Sequence, residues 1–201
     1  MKNKTNPELF IIESLSLEDE KEKRHEGEIV SKMLNLSGKS DTAYYYIRTK
    51  KELIEIVKIF GKSKHRYLHI SCHGNDSFMS TTFDDISFSE LGDILRPYLD
   101  KKRVFVSACE MANRKLAKEL LPNTECLSLI GPSEEIAFDN AAAFWVSFYH
   151  LMFKRNENSM KNKSLQNCII DLAELFEEPI NFYLKKPTAE QGFAKIRSKK
   201  I

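Results

Sequence analysis

The chain has 201 residues, 42% of them apolar, enough for one domain with a substantial core. Its 31 basic and 29 acidic residues leave a formal charge of +2, a balance that makes no electrostatic case for nucleic acid or a lipid surface. No window approaches the ~18 apolar residues of a membrane span, the N-terminus MKNKTNPELF lacks a signal peptide's apolar stretch, and the four cysteines lack CxxC spacing, so the expected setting is cytoplasmic and reducing, without membrane, zinc knuckle or disulfide framework.

In chain order, Leu9 to Leu17 (LFIIESLSL) reads as a first strand. The charged stretch Glu18 to Leu36 carries Ile29, Val30, Met33, Leu34 and Leu36, one apolar stripe of a helix that Gly38 is placed to end. Thr42 to Arg48 (TAYYYIR) is a second strand by its aromatic and β-branched content, and Lys50 to Phe60 a second amphipathic helix closed by Gly61. Tyr67 to Cys72 (YLHISC) is a nearly continuous apolar run, the pattern of a parallel strand covered on both faces. Asn75 to Phe88 reads as a loop or small hairpin with Asp84-Asp85 at its turn. Leu91 to Leu99 is a helix, with Ser87 and Glu90 forming a capping box. Arg103 to Ala108 (RVFVSA) is the next buried strand, Met111 to Leu121 a helix stopped by Pro122, and Leu127 to Ile130 a strand. A long apolar helix follows from about Asn140 to Phe153, then an exposed linker over 154–163, a last helix from Ser164 to Phe176 and a ragged basic tail. Strands alternating with helices over 1–201 predict a single α/β domain, a mostly parallel central sheet with helices on both faces. Cys72 and Cys126 sit in apolar runs and read as small core residues.

Two of these strands end in reactive side chains. His73 follows LHISC, and Cys109 follows VFVSA. If the strands are neighbours about 4.8 Å apart, joined by a right-handed crossover, both side chains arrive at one sheet edge and face each other across a cleft. A free thiol has a pKa near 8.5 and needs a base, and an adjacent imidazole serves. The helix beginning near Met111 adds a positive dipole end that favours the thiolate. Gly74 has no Cβ, so its N–H can approach a substrate carbonyl as an oxyanion donor. Taken singly, a Cys after Ser-Ala is more often core and a His before Gly more often a loop residue. Their shared placement on successive strands is what favours chemistry. Zinc bound by Cys72, His73 and Cys109 is disfavoured because Cys72 and His73 point to opposite faces of a strand. A helical metal face at His65, His69 and His73 conflicts with the β-rich run between them.

HISCHG followed by VFVSACE resembles the caspase-like cysteine peptidases of the caspase, gingipain and separase clan, and most closely the bacterial CHAT-type domains. The stretch LSLIGPSEEIAFDNAAAFWVSFYHLMF is similar to their final strand and helix, and the match is good over Arg66 to Phe153. The resemblance implies a caspase-like three-layer α/β sandwich with His73 as general base and Cys109 as nucleophile. It implies an oxyanion site at Gly74 and Cys109, no cofactor and no metal. It also implies a protein substrate cut through a thioester, and a regulatory or sensor partner that switches on a bacterial effector. Asp139, in the segment Gly131 to Asn140, is the expected substrate contact, although an Asp there also suits a helix N-terminus. Caspases and metacaspases carry Gln or Asp two residues before the nucleophile. Here that position is Ser107, the second expected substrate contact, and it does not specify the pocket type. A non-catalytic interaction module on the same fold is the other expectation.

Overall fold

The computed structural model describes residues 5–196. Its centre is a seven-stranded sheet. Five strands run parallel: β1 (Asn6–Glu13), β2 (Ala43–Tyr46), β3 (His65–Ser71), β7 (Arg103–Ser107) and β8 (Ser128–Pro132). Two more, β9 (Ile180–Lys185) and β10 (Phe193–Ile196), extend it antiparallel, giving the order β10-β9-β8-β7-β3-β1-β2. Three short strands, β4 (His73–Gly74), β5 (Phe78–Ser80) and β6 (Asp85–Ser87), form a separate antiparallel sheet beyond the carboxyl end of β3.

The central strands alternate between two cores, as a sheet covered on both faces must. Phe10, Ile12, Leu68, Ile70, Val104 and Val106 face one layer. That layer holds α3 (Lys50–Lys62), α4 (Phe88–Leu95) and α5 (Arg114–Leu120). Leu9, Ile11, Tyr67, Phe105 and Ile130 face the other, formed by α2 (Glu26–Leu36), α6 (Phe138–Arg155) and α7 (Asn162–Phe176). On α6, Phe144, Trp145, Phe148 and Tyr149 recur at helical spacing and are fully buried, with Phe105 meeting Trp145, Phe148 and Tyr149 ring to ring. The short α1 (Leu17–Lys21) starts at Ser16, whose hydroxyl accepts the N–H of Asp19. The fold is thus the expected three-layer α/β sandwich. No helix among the described residues is long and apolar enough to cross a membrane.

Several local expectations need correction. Gly61 does not close α3, which continues to Lys62; a Cβ there would stand 2.1 Å from the Tyr98 ring, so the glycine is a packing requirement. Asn75 to Phe88 does hold the expected small hairpin, β5 paired antiparallel with β6 and Thr81 joined to Asp84 across its turn, but β4, just before this segment, extends it into a three-stranded sheet. The last segment is not all tail, because residues 180–196 add the two antiparallel strands. The rest of the expected basic tail, residues 197–201, lies outside the described residues. The helix expected from Met111 begins only at Arg114, capped by Asn113, whose side chain accepts from Lys115 and Leu116. Glu110, at φ +56°, turns the chain out of the strand first.

Candidate active site

β3 and β7 are hydrogen-bonded neighbours, with Ser71 opposite Ser107 at their carboxyl ends. His73 and Cys109 each lie two residues further on, so both leave the same edge on the same face of the sheet. Cys72, one residue earlier, turns instead into the α3–α5 core, where its sulfur lies 3.9 Å from Met111 Sδ. No cluster of three or more His, Cys, Asp or Glu suited to a metal occurs among the described residues.

The imidazole of His73 is 43% exposed and held from two sides. Its Nε2 is 2.6 Å from Asp19 Oδ2, and the ring meets Phe138 edge-on at 5.5 Å between centroids. Asp19 is only 8% exposed and also accepts from Ser16 and from Arg24 Nη1 at 2.8 Å. Burial acts to raise the Asp19 carboxyl, but the hydrogen bonds from Ser16, His73 and Arg24 outweigh it and hold the group below the usual carboxylate range. An ionised carboxylate only accepts, so Nε2 carries a hydrogen, and in the neutral ring the lone pair is then on Nδ1.

Cys109 is the one partly exposed cysteine of the four. Burial pushes the others up: Cys72 the furthest, with Cys109 nearby as a second cause, Cys126 to about 12 and Cys168 to about 11. The loop after β8 closes over Cys109: Glu110 N–H donates to Glu134 O at 3.3 Å, and Ile136 O stands 4.0 Å from the thiol sulfur.

Gly74 sits where a Cβ would lie 2.6 Å from Met111 Sδ and 3.0 Å from Phe78 O. In the β4–β5 ladder, Asn75 N–H bonds Phe78 O, and Gly74 opposite Met79 is the next pair. The alternation of an antiparallel ladder makes that next pair the non-bonded one, so the Gly74 N–H points off the free side of β4.

Asp139 opens α6 and lines a cleft of about 570 Å³ beside His73, together with Arg24, Glu26 and Phe138. Ser107 is placed differently from the expectation of a substrate contact. It is buried, at 6% exposed, and its carbonyl accepts the Cys72 N–H inside the sheet. Asp19 was not singled out from sequence. It lies 54 positions before His73 in a run of mixed charges, and only the Ser16-x-x-Asp19 capping pattern marks it.

Neither a protein-family model nor a curated protein sequence matches the chain. Solved structures do. The secreted C11 cysteine protease of Bacteroides thetaiotaomicron, in complex with an irreversible peptide inhibitor, superposes with a TM-score of 0.60 at 11% identity, over 89% of this chain and 66% of that one. Caspase-1 of Spodoptera frugiperda does so with a TM-score of 0.55 at 13% identity, over 98% and 86%. The complex of the pro- and mature domains of RgpB from Porphyromonas gingivalis gives 0.55 at 13%, over 88% and 45%. The chain therefore spans just under two thirds of the C11 protease and less than half of the RgpB chain. At such identities the likeness is one of fold, and that fold is the caspase-like α/β sandwich these cysteine proteases share.

Proposed function

We propose that the chain is a cysteine endopeptidase acting on protein substrates in the cytoplasm, with Cys109 as nucleophile, His73 as base and Asp19 as the carboxylate that orients His73. The observation that carries this reading is the β3–β7 register. It delivers the one partly exposed thiol and an imidazole already fixed by Asp19 to the same sheet edge. The HISCHG and SACE motifs lend it the kinship with CHAT-type domains.

In this reading His73 Nδ1 takes the thiol proton, and the Cys109 sulfur attacks the scissile carbonyl carbon. The N–H groups of Gly74 and Cys109 receive the oxyanion. The C–N bond breaks as His73 returns the proton to the leaving amine, giving a thioester. Water, deprotonated by His73, then releases the acid and restores the thiol. Asp19 holds the ring through both transfers. We further propose that a partner protein controls the activity, acting on the segments that border the cleft.

Incubation with an electrophilic peptide, followed by mass mapping, tests the assignment. Cys109 is expected to be modified selectively, and the selectivity to disappear in His73→Ala. Equal, slow modification of all four cysteines would favour a non-catalytic module on this fold.

A further inference from the structure

We infer that Glu20, clamped by Tyr46 and Arg48, is a positioning residue that sets Asp19 against His73; this deepens the peptidase reading and rests on it. Asp19 reaches the imidazole from a segment with little apolar anchorage. From Ser16 to His25, between buried Leu15 and buried Glu26, Asp19 is the one buried residue, and Leu17, the one apolar side chain, is exposed. α1 has five residues, too few to be stable by itself, so its helical form depends on tertiary contacts. With no apolar face to pack, those contacts are polar.

They converge on Glu20. Tyr46 Oη donates to Glu20 Oε1 at 2.5 Å, and Arg48, just beyond the end of β2, donates from Nε to the same oxygen at 2.9 Å and from Nη2 to Oε2 at 2.5 Å. A guanidinium fork on both carboxylate oxygens fixes direction as well as distance. Tyr46 Oη also accepts the Leu15 N–H at 3.3 Å, so one hydroxyl ties the carboxylate to the chain that enters α1. The Tyr46 ring meets His25 edge-on at 5.4 Å between centroids and lies 6.0 Å from the Arg48 guanidinium. Arg48, and after it Tyr46, hold the Glu20 carboxyl below the usual carboxylate range, so it is an ionised acceptor at neutral pH. Besides Asp19 itself, Glu20 is the one residue of α1 whose side chain bonds another element among the described residues. Ser16 and Arg24 bond Asp19 from within the same segment, and Arg24 adds a cation–π contact to Phe138 at 5.6 Å.

The clamp joins the two sides of the site. His73 opens β4 of the second sheet, and the turn of that sheet is bonded to the same frame. Phe83 N–H donates to Arg48 O at 3.0 Å, and Thr82 Oγ1 donates to Leu15 O at 2.7 Å. The end of β2 thus holds both the sheet that bears His73 and the helical turn that bears Asp19. Loosening Glu20 frees Asp19 to move relative to the imidazole, and the ring loses the acceptor that fixes its hydrogen on Nε2.

The test combines kinetics on a fluorogenic peptide with the tautomer of His73. Glu20→Ala is expected to lower kcat by about 10- to 100-fold with KM little changed, the loss that a small displacement of a catalytic group produces. Tyr46→Phe, which removes only a hydroxyl, and Arg48→Lys, which keeps the charge without the fork, should each give a smaller loss in kcat. Because Glu20 acts through Asp19, Glu20→Ala should add little in an Asp19→Asn background, whereas a merely structural residue would multiply its effect with that of Asp19→Asn. Nitrogen-15 spectra of the neutral histidine rings read the same contact without turnover. The His73 signal, identified by its absence in His73→Ala, should show the Nε2–H form in the parent protein and a mixture with the Nδ1–H form in Glu20→Ala. An unchanged kcat, a change confined to KM, effects that multiply, or an unchanged tautomer in the folded variants would overturn the inference while leaving the peptidase reading intact. A tautomer that shifts as expected in a protein with neither turnover nor selective Cys109 labelling would uphold the positioning of His73 and overturn the peptidase reading instead.

Discussion

At the scale of single residues, the decisive contact is the one between Asp19 and His73. Because Asp19 accepts from Nε2, its replacement by Asn presents an N–H to the ring and favours the opposite tautomer, with the hydrogen on Nδ1, the nitrogen proposed to take the thiol proton. Asp19→Asn is therefore expected to lower kcat by about 10²- to 10⁴-fold with KM little changed, the signature of a positioning residue. A change confined to KM would argue that Asp19 binds substrate instead. The same carboxylate has a stability signature. Its pKa is lowered in the fold, so its contribution is present above the unfolded value, near 3.8, and is lost as pH falls through the folded value. Denaturation of Asp19→Asn across the acid range should show a shallower acid slope than the parent. Alanine at His73 or at Cys109 should abolish turnover, each as completely as the double change, with circular dichroism unaltered. The placement of His73 and Cys109 at one sheet edge was legible because each follows an apolar strand run. The pairing of Asp19 with His73 was not, because a carboxylate in LEDEKEKR has the same local chemistry as its solvated neighbours, and only the tertiary fold selects it.

At the scale of elements, boundaries were legible where a side chain satisfies the backbone and obscure where packing decides. The capping box of α4 was readable, since Ser87 and Glu90 exchange bonds with each other's backbone N–H. Ser87→Ala should cost about 1 kcal/mol, read as a shift in the denaturation midpoint. The start of α5 was not readable: Met111 and Ala112 carry apolar side chains at helical spacing, but they fill the core beneath Gly74 and Asn113 caps the helix later. The consequence is chemical, because four residues, a left-handed Glu110 among them, separate Cys109 from Arg114, so the helix does not start at the thiol. Gly61 was misread for a similar reason, its partner being a ring 37 positions away. Gly61→Ala is expected to destabilise by about 1–3 kcal/mol through overpacking against Tyr98. Combining it with Tyr98→Ala should cost less than the sum of the two single changes, a coupling a double-mutant cycle would read directly. Strict additivity would show that the clash is relieved elsewhere.

At the scale of the whole molecule, the three layers were legible from alternation along LFII, YLHI and VFV, while β9 and β10 were missed because their short runs sit between prolines and lysines. What no pattern announced is the acidic seam between the sheet and the α2–α6 layer. Glu13, at the end of β1, is fully buried and accepts from Gly27 N–H and Tyr44 Oη, each at 2.6 Å. Burial raises its pKa above the usual carboxylate value, and the nearby Glu26 adds to the rise, although the bonds from Tyr44 and Gly27 and the proximity of His25 oppose it. The sign is opposite to that of Asp19. The folded protein binds this proton more tightly than the unfolded chain, so Glu13 favours the fold at low pH and penalises it as pH rises from the unfolded value near 4.5 through the folded one. Glu13→Gln keeps an acceptor for Gly27 and removes the titration. Denaturant midpoints for the variant, followed from pH 4 upward, should therefore fall less with pH than those of the parent protein. The difference should be smallest at the acid end, where the parent's carboxyl is already protonated. Parallel profiles would mean that Glu13 titrates alike in both states and that its two close hydrogen bonds fully offset its burial.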